Sequence, residues 1–350
     1  MKKTAQNLRY FAAANTYKGF ISYFKDVFDS KKYDRIYVLK GGPGTGKSTL
    51  MKRISSNVSA RGGEVTEILC SSDPNSLDGI VASSQDKKIA ILDGTAPHER
   101  DAVIPGAIDE IIDLGSFWDK RWLVTSRKEI LSISEEKRNA YFTAYSYLSL
   151  SGKIDEFIYS LYTENFVISK AKNKAESILP SNLADSQGIA KDRLVSSFSK
   201  QGYYKIDTFS SICNANVKVG GEEYSGHLFM SVLVDLLRYK NVDFIRLPFA
   251  LSPDRTEGVY LPTSGLLIKC DAGNDLNADE FIIQNQLIDE RLRCAKFEKD
   301  TLLKESKRWF AIASDLHFRL EDIYSKSMQF DIMDDIIADK TAEILQILEL

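Results

Sequence analysis

The residues most able to do chemistry form one glycine-rich run, Gly41-Gly42-Pro43-Gly44-Thr45-Gly46-Lys47-Ser48-Thr49. It fits the pattern G-x-x-x-x-G-K-[ST], in which backbone N–H groups surround the phosphates of a nucleoside triphosphate. Glycines permit the backbone angles that turn successive N–H groups toward one point. We expect Lys47 to reach the β- and γ-phosphates, Ser48 to bind Mg²⁺ and Thr49 to lie on the α-phosphate side.

The segments on either side of this glycine loop (Gly41–Thr49) match what the motif requires. Arg35–Leu39 is a short apolar run typical of a buried parallel strand. Leu50, Met51, Ile54 and Val58 recur at helical spacing after the loop. The order strand, loop, helix is the context in which such a loop binds phosphate.

A second apolar run, Ile89–Asp93, ends in an acid. In proteins with this loop, an acid at such a strand end holds Mg²⁺, usually through water, so Asp93 is a candidate metal ligand. The alternative is an ordinary Asp-Gly turn. In the loop that follows, His98 or Glu99 is a candidate to orient an attacking water and Arg100 to offset charge in the transition state, although a solvated loop also explains them.

The loop Ser71–Gly79 carries acids and hydroxyls near the expected end of the triphosphate. It predicts either a sensor of the nucleotide or a site for a second substrate. The alternative is a plain turn, because Asp, Asn, Ser and Pro form turns unaided.

Composition excludes several classes of function. Of 350 residues, 43% are hydrophobic and 27% charged, and the formal net charge is −3, which gives no signal for nucleic acid or an anionic membrane. The four cysteines form no C-x-x-C pair, and neither an apolar leader nor a run long enough to span a bilayer is found. These features predict a cytoplasmic protein with reduced thiols and no membrane partner.

The chain repeats itself at an offset of 179 positions, which places Val38 over Val217 and Met51 over Met230. A period this long indicates two domain-sized copies. Gly226 then stands where the first copy has Lys47, and His227 where it has Ser48. Two glutamates also enter the second loop, so we expect this copy not to bind a triphosphate. It is either a regulatory or partner-binding site without nucleotide, or a structural half kept for packing.

The repeat predicts two domains, residues 1–185 with the intact loop and residues 186–350 with the degenerate one. After a deletion of one residue in the second half, Asp93-Gly94 falls over Asp271-Ala272. Each half is expected to carry a helical hairpin, with the turn Ser151–Lys153 dividing the first. The last stretch, Ile332–Leu348, is predicted to be an amphipathic helix.

Several motifs together resemble those of the uncharacterised tandem P-loop ATPases of Gram-positive bacteria. They are the glycine loop with Leu50-Met51, Cys70-Ser71-Ser72-Asp73, Ser76-Leu77-Asp78-Gly79 and Asp93-Gly94-Thr95-Ala96-Pro97-His98. The resemblance covers nearly the whole chain and implies an α/β fold and ATP as ligand. Similar proteins often carry a usable loop in both halves, from which this chain departs at Glu222–His227.

The sequence therefore predicts an α/β fold of two halves with mostly parallel sheets, each with an appended helical hairpin. The first half is expected to bind ATP with Mg²⁺, since no guanine-reading N-K-x-D run is present. Three classes of function are open: an ATPase, a nucleotide-gated binding module with negligible turnover, and a small-molecule or nucleotide kinase. The identity of any protein partner is not predicted.

Overall fold

A computed structural model describes residues 8–181, 187–273, 275–283 and 286–350. With strands and helices numbered along the chain, the first half contains a six-stranded sheet in the order β1-β5-β6-β7-β4-β8. Its strands are β1 (Leu8–Phe11), β4 (Arg35–Lys40), β5 (Glu64–Leu69), β6 (Leu77–Ser84), β7 (Lys87–Asp93) and β8 (Asp109–Asp113). Only β6 runs antiparallel to its neighbours.

The second half repeats this sheet strand for strand, in the order β9-β13-β14-β15-β12-β16. Its strands are β9 (Ala190–Asp192), β12 (Ala215–Gly220), β13 (Phe244–Pro248), β14 (Thr256–Leu261), β15 (Leu266–Cys270) and β16 (Leu276–Asn277). Here β14 is the antiparallel strand. The predicted α/β fold of two mostly parallel halves is confirmed.

Two hairpins and several helices complete the fold. The hairpins are β2 (Ala13–Thr16) with β3 (Gly19–Ser22), and β10 (Ser196–Ser199) with β11 (Gly202–Lys205). The helices are α1 (Phe24–Val27), α2 (Lys47–Ala60), α3 (Lys120–Thr125), α4 (Arg127–Glu164), α5 (Ile168–Ile178), α6 (Glu223–Tyr239), α7 (Gln286–Ser325) and α8 (Phe330–Ile347). No helix in the described part of the chain is long and apolar enough to cross a membrane.

Helices α2 and α6 form because their apolar residues recur on one side. In α2 the buried side chains Leu50, Met51, Ile54 and Val58 face the first sheet. In α6 the buried side chains include Phe229, Met230, Leu233 and Leu237, which face the second sheet. Each helix therefore covers one face of its own sheet.

The longest helices, α4 and α7, lie side by side. Lys296 Nζ lies 3.4 Å from the Tyr162 hydroxyl, and the Ser306 hydroxyl donates to Ala144 O at 2.9 Å. Along these contacts the residue numbers rise on one helix and fall on the other, so the two helices are antiparallel. It reaches from the first half to the second and joins them.

Each of the two shorter helices that follow α4 and α7 packs in the half of the molecule opposite to its place in the chain. Helix α5 follows α4 in the chain, yet its Ala171 and Ala175 are buried in the core of the second half. Helix α8 follows α7, yet its Met333, Ile337 and Ile344 are buried in the core of the first half. Each half is therefore completed by a helix from the other side of the predicted boundary at 185/186, which itself lies outside the described residues.

The predicted turn at Ser151–Lys153 is wrong, because α4 continues through it. A side chain at Gly152 would lie 2.5 Å from Tyr17 Cβ. The glycine lets the helix pass close to the β2–β3 hairpin, and this packing contact explains the residue that the sequence suggested as a helix breaker.

Candidate functional site

The glycine loop connects the end of β4 to the start of α2. Gly44 and Gly46 have φ angles of +72° and +79°, a region that L side chains rarely adopt. The Thr45 hydroxyl donates to Gly42 O at 2.9 Å and closes the loop on itself. Gly46 caps α2, so the amino-terminal N–H groups of that helix open into the loop.

Lys47 is folded back over this loop. Its ammonium donates to Gly41 O at 2.6 Å and to Gly42 O at 2.9 Å. It also lies 3.6 Å from Asp93 Oδ2 at the end of the neighbouring strand β7. The structure therefore brings Lys47 and Asp93 together at the carboxyl edge of the sheet, as their places in the sequence predict.

The two residues predicted to hold Mg²⁺ already have partners in the protein. Ser48 Oγ accepts a hydrogen bond from Leu77 N at 3.0 Å. Asp93 Oδ1 accepts from Thr95 N at 2.9 Å and from the Thr95 hydroxyl at 2.5 Å, which leaves Oδ2 toward Lys47. A hydroxyl and a carboxylate are hard oxygen donors of the kind that Mg²⁺ takes.

In the described part of the chain, no group of three or more His, Cys, Asp or Glu side chains could hold a metal. Mg²⁺ at nucleotide sites is usually bound through one or two carboxylates together with substrate phosphates, not by a cage made of protein alone. The donor set of Ser48 and Asp93 therefore fits a metal that arrives with a nucleotide.

His98 packs on the other face of the first sheet. Its ring stacks on Phe24 with centroids 4.0 Å apart, and its Nε2 lies 3.2 Å from Asp78 Oδ2. Phe24 belongs to the apolar cluster that contains Val38, whereas α2 covers the opposite face. The structure does not bring His98 to Lys47.

Glu99 and Arg100, which follow His98 in the chain, have different surroundings. Glu99 is exposed. Arg100 Nη2 donates to Asp109 Oδ1 at 3.0 Å and to Ser30 Oγ at 2.9 Å, and its other terminal nitrogen bonds Phe28 O. Because Asp109 is buried, the Arg100 guanidinium supplies the counter-charge of an internal carboxylate.

The segment Ser71–Gly79 forms a closed turn. Asp73 Oδ1 accepts from Asn75 N at 3.1 Å, and Asn75 O accepts from the ammonium of Lys52 at 2.5 Å. Ser71 O accepts from the hydroxyl of Ser197, in the second half, at 2.6 Å. The turn is therefore tied both to α2 and to the other half of the molecule.

Sequence reasoning missed the elements that cover the glycine loop. A side chain at Gly44 would lie 2.5 Å from Glu321 O and 3.1 Å from Ser325 N, so the last turn of α7 rests against the loop. At Gly46 the obstacle is Met333 of α8. The only available signal was the apolar stripe of α8, which shows that the helix is covered but not by which sheet.

At the matching position, between β12 and α6, the described second half has no such loop. Helix α6 has 17 residues against 14 in α2, and its extra residues Glu223–Ser225 stand where the offset places Gly44–Gly46. They form the first helical turn. In the second half, an additional helical turn of α6 therefore replaces the glycine loop, whose loss the sequence predicts.

A carboxylate caps this turn. Asp279 Oδ1 accepts from Glu222 N at 3.0 Å and also bonds the Ser225 hydroxyl. In the first half the matching position, the second residue of the short helix after β8, is Gly115. In the second half, the carboxylate of Asp279 therefore occupies the position at the start of a helix where an anion binds. In the first half, Gly115 leaves the matching position without a carboxylate.

Two predicted correspondences between the halves are wrong. Val38 packs on the face of its sheet away from α2, whereas Val217 packs on the face of its sheet that α6 covers, so the predicted strand register is off by one residue.

The predicted match at the end of β7 is also wrong. Leu39 O accepts from Gly94 N at 3.0 Å, and Val219 O accepts from Asp271 N at 3.1 Å. Asp271 thus matches Gly94, and the position of Asp93 is held by Cys270. The error arises because the sequence comparison allows for one missing residue in the second half before this position, and the structure lacks one more.

His227 occupies the position of Ser48 in the second half. We expect this residue to make the stability of the fold depend on pH. It is buried, its ring lies 4.6 Å from that of Phe249, and burial lowers its pKa to about 3. The unfolded chain binds a proton near pH 6.5. Stability is therefore lost as the pH falls below 6.5, by about 2 kcal/mol at pH 5 from this residue.

Urea unfolding of the wild type and of His227→Phe at pH 8 and pH 5 measures this contribution. The variant should lose about 2 kcal/mol less than the wild type between the two pH values. At pH 8, where the imidazole is neutral in both states, the comparison reports packing alone. An equal loss in both proteins would contradict the prediction.

Comparison with protein-family models, curated proteins and solved structures finds no significant match for this chain. The fold and the site define an α/β protein with two mixed sheets and one glycine loop of the G-x-x-x-x-G-K-[ST] pattern.

Proposed function

We propose that the first half binds ATP with Mg²⁺ at the glycine loop and hydrolyses it, and that the second half binds no triphosphate. One observation carries the proposal: Lys47, Asp93 and a loop of left-handed glycines lie together at the carboxyl edge of a mostly parallel sheet. Ligands of open α/β sheets bind at this edge.

Each residue has a role in that proposal. The loop N–H groups and the start of α2 hold the phosphates, and Lys47 turns from the carbonyls of Gly41 and Gly42 to the β- and γ-phosphates. Ser48 and Asp93 would hold Mg²⁺, which would supply positive charge to offset that of the phosphates. The ordered Thr95 contacts fix the Asp93 carboxylate in place.

A nucleotide-gated binding module is the second candidate, and one observation favours it. Of the residues predicted to orient water, His98 packs on the opposite face of the sheet and Glu99 is exposed. The loop instead contacts α7 and α8, which connect it to the other half. Such contacts suit a switch whose turnover is slow.

Lys47→Ala tests the proposal. Titration calorimetry with magnesium and a slowly hydrolysed ATP analogue should show binding to the wild type, weakened about a hundredfold or more in the variant. A charge pair at about 4 Å is worth about 4 kcal/mol at a partly shielded surface. Steady-state phosphate release should fall in parallel if the protein is an ATPase, whereas binding without release favours the module.

Gly226→Ala is the matched control, because Gly226 occupies the position of Lys47 in the second half. It should leave binding unchanged. A side chain there lies 3.0 Å from Cys270 Sγ, so circular dichroism must confirm that the variant folds. Equal losses from both substitutions, or no binding by the wild type, would overturn the proposal.

We place this activity in the cytoplasm. The four cysteines Cys70, Cys213, Cys270 and Cys294 are all free, and burial raises the pKa of the Cys270 thiol to about 12. Thiols left unpaired in this way suit a reducing compartment.

A further inference from the structure

A tryptophan borders the glycine loop on the side away from Asp93. Strand β4 leads into the loop and lies between β7, which ends in Asp93, and β8. Trp118 comes shortly after β8. A side chain at Gly42 would lie 3.3 Å from Cζ2 and 3.4 Å from Cη2 of its indole, so the ring packs directly on the loop. Asp93 and Trp118 therefore flank the glycine loop from opposite sides.

The indole N–H of Trp118 has no hydrogen-bond partner. Its Nε1 atom is buried, and no acceptor for it lies within the part of the chain that the structure describes. Buried indole N–H groups usually find an acceptor, and a buried donor left without one costs about 1–3 kcal/mol. Beside a candidate ligand site, such a donor is accounted for when the acceptor belongs to the ligand.

The second half has the same backbone arrangement without the tryptophan. Trp118 pairs with Met328 in an isolated antiparallel bridge, and Ile282 pairs with Phe166 in the same way. Each of Trp118 and Ile282 follows directly on the short helix after the last strand of its half. An isoleucine therefore meets the structural needs of this position. The indole is found in the half that has the glycine loop.

We propose that Trp118 binds the nucleoside part of a nucleotide in the glycine loop, with its ring packed on the nucleoside and its N–H donating to an acceptor there. The inference rests on the proposed function and deepens it. In that function the terminal phosphates lie toward Lys47 and Asp93. The sugar and base are at the other end of the nucleotide, so they extend to the β8 side, where Trp118 lies.

Gly42 links this contact to the binding of the phosphates. The Lys47 ammonium donates to Gly42 O at 2.9 Å, and the indole of Trp118 packs against the same glycine. When Lys47 turns to the phosphates, that hydrogen bond is lost and Gly42 can move away from the ring. The ring of Trp118 then exchanges its contact with Gly42 for a contact with the nucleoside.

Trp118→Ile tests this inference, because it introduces the residue that the second half has at the matching position. Titration calorimetry with magnesium compares a slowly hydrolysed ATP analogue with inorganic tripolyphosphate, which has the phosphates but no nucleoside. The variant should bind the analogue about tenfold more weakly, since the ring contact is lost. It should bind tripolyphosphate as the wild type does. Trp118→Phe keeps a ring without the N–H and should weaken binding of the analogue about threefold.

Tryptophan emission gives a readout that does not depend on affinity. The chain has three tryptophans, at positions 118, 122 and 309. Saturation with the ATP analogue should change the emission of the wild type, and Trp118→Phe should abolish most of that change. Trp309→Phe is the matched control, because Trp309 packs with residues of α4 and α7 in the long helix pair. It should keep both the affinity and the change in emission.

The melting temperature without ligand separates this role from a structural one. Trp118→Ile should stay within a few degrees of the wild type, and if it does not fold, Trp118→Phe carries the same comparison. Equal losses for the analogue and tripolyphosphate would show that Trp118 only shapes the loop. Unchanged binding of the analogue would also overturn the inference, and in both cases the proposed function stands. If the wild type binds neither ligand, the proposed function itself fails and the inference with it.

Discussion

Ending the chain at Gln329, which removes α8, is expected to unfold the first half. The helix supplies five side chains to the core beneath α2: Met333, Ile337, Ile344, Leu345 and Leu348. Each contributes about 2 kcal/mol when fully buried, so their loss removes about 10 kcal/mol. A loss of this size takes most or all of the stability of an ordinary domain, which is about 5–15 kcal/mol.

Two isoleucines of α8 give a matched pair of point substitutions. Ile337 is buried and Ile332 is 41% exposed, although both lie in the same helix. Ile337→Ala should lower the free energy of unfolding in urea by about 2–5 kcal/mol. Ile332→Ala should change it by no more than about 1 kcal/mol. A folded truncated chain, or equal effects of the two substitutions, would contradict the placement of α8.

The exchange of helices bears on how the two halves communicate. Met333 and Glu321 both meet the glycine loop, and they belong to helices that follow the second sheet in the chain. A ligand that reshapes the loop must therefore act on α7 and α8 as well. The site is built by residues from both ends of the sequence.

The glycine loop could be predicted from the sequence because its signals are local. A strand, a run of glycines and a helix follow one another within 26 residues, from Arg35 to Ala60. The backbone angles at Gly44 and Gly46 are fixed by residue type, and the strand order brings Asp93 to the loop. The repeat extended the same prediction to the second sheet.

The parts of the site and fold that could not be predicted from the sequence depend on packing between distant segments of the chain. Nothing near His98 in the sequence shows that its ring stacks on Phe24, and nothing near Arg100 shows the buried Asp109 that it neutralises. Gly152 has the residue type of a helix breaker but serves a close contact with Tyr17. Such choices are made by tertiary contacts, which override local preference.

Asp155→Ala is expected to be the most damaging single substitution where α4 packs against the second half. Asp155 is fully buried, with its Oδ2 2.7 Å from Arg255 Nη1 and its Oδ1 3.4 Å from Lys299 Nζ. The hydroxyl of Tyr224 donates to it at 2.8 Å. Removing the carboxylate takes from Arg255 and Lys299 the counter-charge that they share in the interior, which costs about 3–5 kcal/mol.

Glu156→Ala provides the control from the adjacent residue of α4. Its carboxylate is exposed and, among the residues that the structure describes, forms an ion pair with Lys153 alone, so its loss should change stability by less than about 1 kcal/mol. Urea unfolding of both variants makes the comparison. Replacing Asp155, Arg255 and Lys299 together by apolar residues of similar size should recover much of the stability that Asp155→Ala loses. The destabilisation comes from buried cations without their counter-charge, and the triple variant has none. If Asp155→Ala were no more damaging than Glu156→Ala, the buried ion cluster would not be what holds α4 to the second half.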